Sequence, residues 1–248
     1  MVLPVFYAPP ENIVQDTITL PDAESRHAIS VMRLKRGALV LVVDGLGTAY
    51  QGEIRTVGAG CVGVCVHSQF RHFGEPSFRL TLAAGMSAGE KFDTIVEKGT
   101  ELGVKRFVPI ISVKSKVKLE EPKRIKSRLS RLERVALAAI KQCRRSYRPD
   151  ISPPITLVAY LNQFDPEALN LIFAPEKTAV PLDKVSIDPD LKRVNLLVGP
   201  ESGFSSDEIE MAVRVGFTPV SLGQRILRTE TAGPAVCALI MYLMGELR

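Results

Sequence analysis

Two glycine-containing bends near the C-terminus carry the residues best suited to chemistry. The first is Gly199-Pro200-Glu201-Ser202-Gly203, and the second lies within Ser221-Leu222-Gly223-Gln224-Arg225-Ile226-Leu227-Arg228-Thr229-Glu230-Thr231-Ala232. Glycine lets the chain turn sharply and lets a ligand come close to main-chain N–H and C=O groups. Two such elbows, each following a strand, suit a small polar cofactor. In the second, Ile226 and Leu227 can pack an aromatic base while neighbouring backbone groups read its edge. Taken alone, the first bend fits an ordinary strand-to-helix turn equally well, and it is the second bend that favours a pocket. Ser205 and Glu208 form the Ser-x-x-Glu box of a helix start. Thr229 and Thr231 are available to cap the last helix, with Pro234 in its first turn.

Other motifs fail for want of context. Asp44-Gly45-Leu46-Gly47 follows a strand, but Tyr50 stands where a dinucleotide fold needs glycine and another strand follows, so it reads as a hairpin turn. Gly85-Met86-Ser87-Ala88-Gly89-Glu90-Lys91 lacks the Gly-Lys-Ser/Thr ending of a phosphate loop, which leaves Lys91 as a side chain able to reach a substrate phosphate. Cys61, Cys65, Cys143 and Cys237 have no C-x-x-C spacing and read as reduced structural thiols. The three histidines, 27, 67 and 72, have no zinc-site spacing, so no metal is expected. His27 reads as a partly buried helix residue bonded to its neighbours rather than a catalytic group.

These motifs need a scaffold, and the chain's 248 residues, 46% of them apolar, suffice for one sizeable core or two modest ones. Short alternating runs at Ala38 to Val43, Gly47 to Ile54 and Gly60 to Val66 predict a small β-barrel. A helix over Asp22 to Leu34, capped by Asp22, would turn Ala23, His27, Val31 and Leu34 to one face. The polar segment His67 to Ser77 marks a boundary, giving domains 1–72 and 73–248. Beyond it strands and helices alternate through Phe78 to Ala84, Phe92 to Leu102, Arg106 to Ile110, Lys123 to Arg145, Ile155 to Tyr160, Leu169 to Ala174, Arg193 to Val198, Asp207 to Val215, Thr218 to Leu222 and Thr231 to Leu247. That order predicts an α/β fold with a largely parallel sheet.

The net charge of +5 is concentrated: from Lys114 to Arg148 thirteen Lys and Arg face three Glu, a local balance of +10. In the helix from Lys123, the stripe Ile125, Leu129, Leu132, Ala136, Ala139, Ile140 and Cys143 is apolar, while Arg131, Arg134, Lys141, Arg144 and Arg145 point mainly away from it. With Lys114, Lys116 and Lys118 before it, this face predicts a phosphate-binding groove. Arg33, Lys35 and Arg36 form a second basic cluster. The apolar run Ala235 to Met244 is shorter than the roughly 20 residues that span a bilayer and, being apolar nearly all round, predicts a subunit interface as well as a core contact. Met1 to Pro10 has no export-signal pattern.

The chain resembles the bacterial 16S ribosomal RNA uracil-N3 methyltransferases of the knotted SPOUT superfamily over essentially its full length. The likeness is carried by His27 through Arg33 with Gly37, by Lys91 with Glu97-Lys98-Gly99-Thr100-Glu101-Leu102-Gly103-Val104, by Gln142, Arg145 and Pro149, and by the two bends. Ser202 stands where that pattern ordinarily has glycine. The resemblance implies an N-terminal PUA-like barrel and a C-terminal SPOUT domain with a deep trefoil knot. It implies S-adenosyl-L-methionine bound by Ala174, Pro175, Glu176, Val198, Gly199, Pro200, Glu201, Gly203, Leu222, Gly223, Ile226, Leu227 and Arg228. It further implies a cytoplasmic homodimer acting on 16S rRNA, in a partly assembled 30S subunit, with no membrane partner.

Uridine N3 carries a proton and attacks a methyl group well only as the anion. A cation near O2 or O4 would stabilise that anion, with Arg228 the first candidate and Lys91 the second. Glu230 either accepts the N3 proton or holds Arg228 in place. The competing classes are a non-catalytic RNA-binding or ribosome-assembly module, and a methyltransferase acting on transfer RNA or another ribosomal base.

Overall fold

A computed structural model describes residues 3–247 apart from 59, 88–89, 116–120, 177–178 and 189. The chain divides into two compact units: Met1–Glu75 with Leu137–Arg148, and Pro76–Ala136 with Pro149–Arg248.

In the first unit, β1 (Val5–Tyr7), β2 (Ile13–Val14), β3 (Thr17–Thr19), β4 (Leu39–Val43), β5 (Thr48–Gly58) and β6 (Cys61–Arg71) form one curled sheet in the order β1-β4-β5-β6-β3-β2. The β4–β5 turn is the hairpin expected at Asp44: its Oδ1 accepts from the N–H groups of Leu46 (2.7 Å) and Thr48 (2.9 Å). Register shifts between Gln51 and Gly52 and between Ile54 and Thr56 interrupt the long β5–β6 pairing; such bulges bend a sheet and let it wrap a core. Here that core holds Phe6, Ile18, Leu20, Val40, Val42, Ile54 and Val64. Strand β6 runs to Arg71, so the first part of the polar segment expected as a linker is ladder instead.

The helix expected over Asp22 to Leu34 is shorter and turned differently. The α-helix α1 spans Asp22–Arg26, Pro21 rather than Asp22 takes the cap position, and a π-helical turn follows over His27–Val31. Ala23, His27 and Val31 are exposed, whereas Glu24, Ser25 and Ala28 are buried. Polar side chains turn inward because each finds partners. Ser25 Oγ donates to the Leu20 carbonyl (3.0 Å) and accepts from Val62 N–H (3.1 Å), and Glu24 Oε1 accepts from Lys141 Nζ at 2.5 Å. His27 sets its ring edge-on to Phe6.

Arg145, expected on the basic face, is buried. Its Nη2 lies 2.8 Å from Glu75 Oε2, and Glu75 Oε1 also accepts from the N–H groups of Ser146 (3.1 Å) and Tyr147 (2.9 Å). A buried pair is tolerable only when its oxygens and donors are satisfied in this way.

In the second unit, β7 (Arg79–Gly85), β8 (Val104–Ile111), β9 (Asp150–Ile151), β10 (Ile155–Thr156), β11 (Leu169–Phe173), β12 (Val180–Pro181), β13 (Arg193–Val198) and β14 (Thr218–Ser221) build a parallel sheet of order β10-β8-β7-β13-β11-β14-β12, with β9 beside β8. The α/β reading holds. One face carries α2 (Lys91–Glu101), part of α3 (Pro122–Cys143) and α6 (Thr229–Leu243), where Phe92, Ile95, Leu132, Ala136, Val236 and Ile240 meet Leu80, Leu82 and Leu196. The other carries α4 (Leu157–Leu161) and α5 (Ser206–Val215), with Leu157, Tyr160, Ile209 and Phe217 against Val108, Ile172 and Leu197. The strand expected over Ile155 to Tyr160 stops at Thr156, whose Oγ1 accepts from Ala159 N–H at 3.2 Å and caps α4. The three- and four-residue spacing of Leu157, Tyr160 and Leu161 then buries one helical face.

The stripe predicted in α3 is the side that packs: Leu132, Ala136, Ala139 and Ile140 are buried. Cys237 is buried in α6, which pushes its thiol pKa up and keeps it protonated; all four cysteines are free. Helix α6 begins at Thr229 with Arg228 in the cap position, and no side-chain bond caps it. Thr229 Oγ1 donates instead to the Gly199 carbonyl at 3.0 Å, and Pro234 falls in the second turn rather than the first.

Candidate active site

Parallel strands leave their C-terminal ends on one edge of the sheet, the usual place for a ligand in such folds. There the chain approaches itself closely: a Cβ added at Gly85, the last residue of β7, would lie 2.2 Å from Pro200 N. The β13 turn closes with Gly203 N–H donating to the Pro200 carbonyl (2.8 Å). Ser205 and Glu208 then form the expected capping box of α5. Gly203 and Gly223 have φ of 69° and 95°, and a Cβ at either would meet nothing within 4 Å, so both elbows border open space.

That space is a cavity of about 290 Å³ between the ends of β11, β13 and β14 and the start of α6. Ala174, Pro175, Glu176, Val198, Gly199, Pro200, Glu201, Gly203, Leu222, Gly223, Ile226 and Leu227 all line it, whereas Arg228 does not. The size, the apolar walls at Phe173, Ile209 and Leu227, and a rim of main-chain groups suit a nucleoside-sized molecule.

Beside the cavity the three expected reactive side chains come together. Lys91 opens α2 and Glu230 lies in the first turn of α6; Lys91 Nζ is 3.8 Å from Glu230 Oε1 and also pairs with Glu201. Arg228 Nη1 is 4.0 Å from the same Glu230 oxygen, with its own side chain 79% exposed. Glu230 Oε2 is buried and has no hydrogen-bond partner among the described residues. One carboxylate oxygen therefore faces two cations while the other keeps its acceptor capacity.

The basic residues divide. Arg33, Lys35 and Arg36 are exposed in the first unit. In the second, Arg131 and Arg134 line a cavity of about 380 Å³ with Arg124, Ser127 and Arg128, and Arg131 also pairs with Asp93 at 2.6 Å. Lys141 is held by Glu24 and Arg145 by Glu75, so neither is presented as the helical wheel suggested. Lys116 and Lys118 lie outside the described residues. Lys114 lines the smaller cavity instead of extending the basic groove.

Residues 74–241 match the family described as RNA methyltransferase domain, and residues 20–60 match the RNA methyltransferase PUA domain. The Ribosomal RNA small subunit methyltransferase E of Synechocystis is 30% identical over 237 residues, covering 95% of this chain and 76% of the relative. The chain belongs to the ribosomal RNA small subunit methyltransferase E family. The methyltransferase E of Bacillus subtilis is 27% identical over 94% of this chain and 92% of its own. Among solved structures, that of the methyltransferase E from Neisseria gonorrhoeae bound to S-adenosyl methionine aligns with a TM-score of 0.87 at 30% identity, covering 98% of each chain. A Legionella pneumophila protein in complex with the bound cofactor SAM aligns with a TM-score of 0.86 at 27% identity, again over 98% of each chain.

Several residues that line the methyltransferase cavity escaped sequence reasoning. Phe173 and Ile209 fall in plain strand and helix stretches, and their periodicity says nothing about which end of a strand or helix faces a ligand. Lys114 and Ser202 could have been paired only by knowing that β8 and β13 end on the same edge. In the family motif on α2, Lys98 bonds Glu101 and Glu97 at 2.9 Å each, which raises its pKa and keeps it cationic. Among the described residues no helix is long and apolar enough to cross a membrane, and no group of His, Cys, Asp and Glu could hold a metal.

Proposed function

We propose that this methyltransferase transfers a methyl group from S-adenosyl-L-methionine to N3 of a uridine in the 16S rRNA of an assembling small ribosomal subunit. The observation that carries the reading is the placement of Lys91, Glu230 and Arg228 beside a cavity built from two glycine elbows. Relatives solved with the cofactor share the fold over 98% of this chain.

The cavity fits the cofactor. Gly203 and Gly223 leave room where any side chain would project, and the adenine ring has aliphatic walls at Leu222, Ile226 and Leu227. Ala174 to Glu176 and Val198 to Gly203 would hold the remainder. Bound there, S-adenosylmethionine supplies an electrophilic methyl carbon on sulfur. The chain's own work is to place the uridine and remove its N3 proton. The Glu230 carboxylate is the proton acceptor, and Lys91 and Arg228, beside its Oε1, offset the charge spreading to the uracil carbonyl oxygens. Arg228 thereby acts on substrate more than on cofactor.

Arg33, Lys35, Arg36, Arg131 and Arg134 serve as phosphate contacts that position RNA without reading its sequence. We read residues 1–72 as a PUA-like RNA-binding barrel and residues 73–248 as a SPOUT domain with a trefoil knot. The curled first sheet and the parallel second one support two domains, with Leu137–Arg148 belonging to the first compact unit. A homodimer is supported by the exposed apolar side chains of Leu239, Tyr242 and Leu243 on α6, and the function places the protein in the cytoplasm.

Small subunits from cells lacking the gene, incubated with purified protein and S-adenosylmethionine and mapped by nucleoside mass spectrometry, should gain one N3-methyluridine in 16S rRNA. A methyl group on another base, on transfer RNA, or on no RNA would overturn the reading.

A further inference from the structure

Two cations line the cofactor cavity, Lys114 and Arg225, together with two carboxylates, Glu176 and Glu201. S-adenosylmethionine presents one carboxylate alongside an ammonium and a sulfonium, so a cation on one wall has a specific partner to receive. Glu201 is engaged by Lys91, which removes it from competition for either lining cation.

Lys114 is fixed from several directions. Its Nζ donates to the Phe204 carbonyl at 3.1 Å, its own carbonyl accepts from Ser202 Oγ at 2.7 Å, and its N–H donates to Ser112 Oγ at 3.2 Å. The neighbouring Val113 N–H donates to Glu208 Oε1 at 2.9 Å, tying the same loop to the capped start of α5. The bond to Phe204 uses one of the three ammonium donors. Arg225, exposed like Lys114, differs in making no ion pair or side-chain hydrogen bond among the described residues. Recruiting a side chain that is already held forfeits less rotamer freedom than recruiting a loose one.

We propose that Lys114 binds the carboxylate of the cofactor and that Ser202 is the positioning residue that holds it there. The assignment rests on the S-adenosylmethionine reading above. It moves Lys114 from the RNA surface to the cofactor site, and it gives Ser202, which stands where the related pattern has glycine, a bond that glycine cannot make.

The test is calorimetric titration of the full chain with S-adenosylmethionine and with its decarboxylated form. The wild type should prefer the carboxylated molecule about tenfold, as one charge-assisted bond implies. Lys114→Met should erase that preference while still binding the decarboxylated form. Ser202→Gly should reduce the preference severalfold, which a purely structural role for the hydroxyl would not do, because such a role affects both ligands alike. Arg225→Met should keep the ratio. The assignment is overturned if Lys114→Met keeps the preference, if Arg225→Met erases it, or if Lys114→Met weakens only RNA binding. Failure of the wild type to bind either molecule would instead overturn the cofactor reading itself, and this assignment with it.

Discussion

At Glu230 the two oxygens of one carboxylate live in different surroundings, one 3.8 Å from Lys91 Nζ and 4.0 Å from Arg228 Nη1, the other buried without a hydrogen-bond partner among the described residues. In the proposed reaction Glu230 removes the proton while the two cations stabilise charge. Glu230→Gln should slow turnover by about 10²-fold or more, the usual contribution of a general base, with cofactor affinity little changed. Arg228→Ala should likewise reduce turnover far more than cofactor affinity. Single-turnover kinetics beside calorimetry check both; equal losses in rate and affinity would place these residues in cofactor binding. The types of these three residues, and the closeness of Arg228 to Glu230, were legible in the sequence, but the approach of Lys91 to Glu230 needs the fold to bring distant segments together. Arg145 was not: a helical wheel treats arginine as a surface residue, and nothing local reveals that Glu75, seventy positions away in sequence, satisfies it in the interior.

At the scale of elements, α3 shows what periodicity can and cannot give. Its apolar stripe was readable because one face does all the packing. Its basic face was readable as charge, but the fate of each cation depends on neighbours, and Asp93 and Glu24 claim Arg131 and Lys141. The Arg131–Asp93 pair is only partly buried, and solvent-screened ion pairs contribute little, so a phosphate can compete with Asp93 for Arg131. Neutralising Arg131 and Arg134 together should therefore lower the slope of log affinity for RNA against log salt by about 1.4, with cofactor affinity intact. An unchanged slope in filter-binding titrations would make this an ordinary solvated face. Helix α1 misled for a different reason: a π turn at His27–Val31 shifts the helical phase, and buried Glu24 and Ser25 hide the inward face from any apolar pattern.

For the whole molecule, alternating strands and helices announced a parallel α/β unit, yet the strand order β10-β8-β7-β13-β11-β14-β12 did not follow from them, because neighbours in the sheet come from distant parts of the chain. That order is what brings the elbows at Gly199 and Gly223 to one cavity. On α6, Leu239, Tyr242 and Leu243 remain 41%, 68% and 44% exposed, an apolar face suited to a second copy. Tyr242→Glu with Leu243→Glu should convert a two-chain species to a one-chain species in sedimentation equilibrium, and an unaltered mass would remove this face from any interface. The shared cavity itself is tested most directly by titrating S-adenosylmethionine into the wild type and Gly223→Val. Valine strains a backbone at φ 95° and projects into the open space there. The wild type should bind one cofactor per chain, and the variant should lose about tenfold or more in affinity while keeping its circular dichroism spectrum. Absence of wild-type binding, or equal affinity in the variant, would contradict a cofactor gripped between the two elbows.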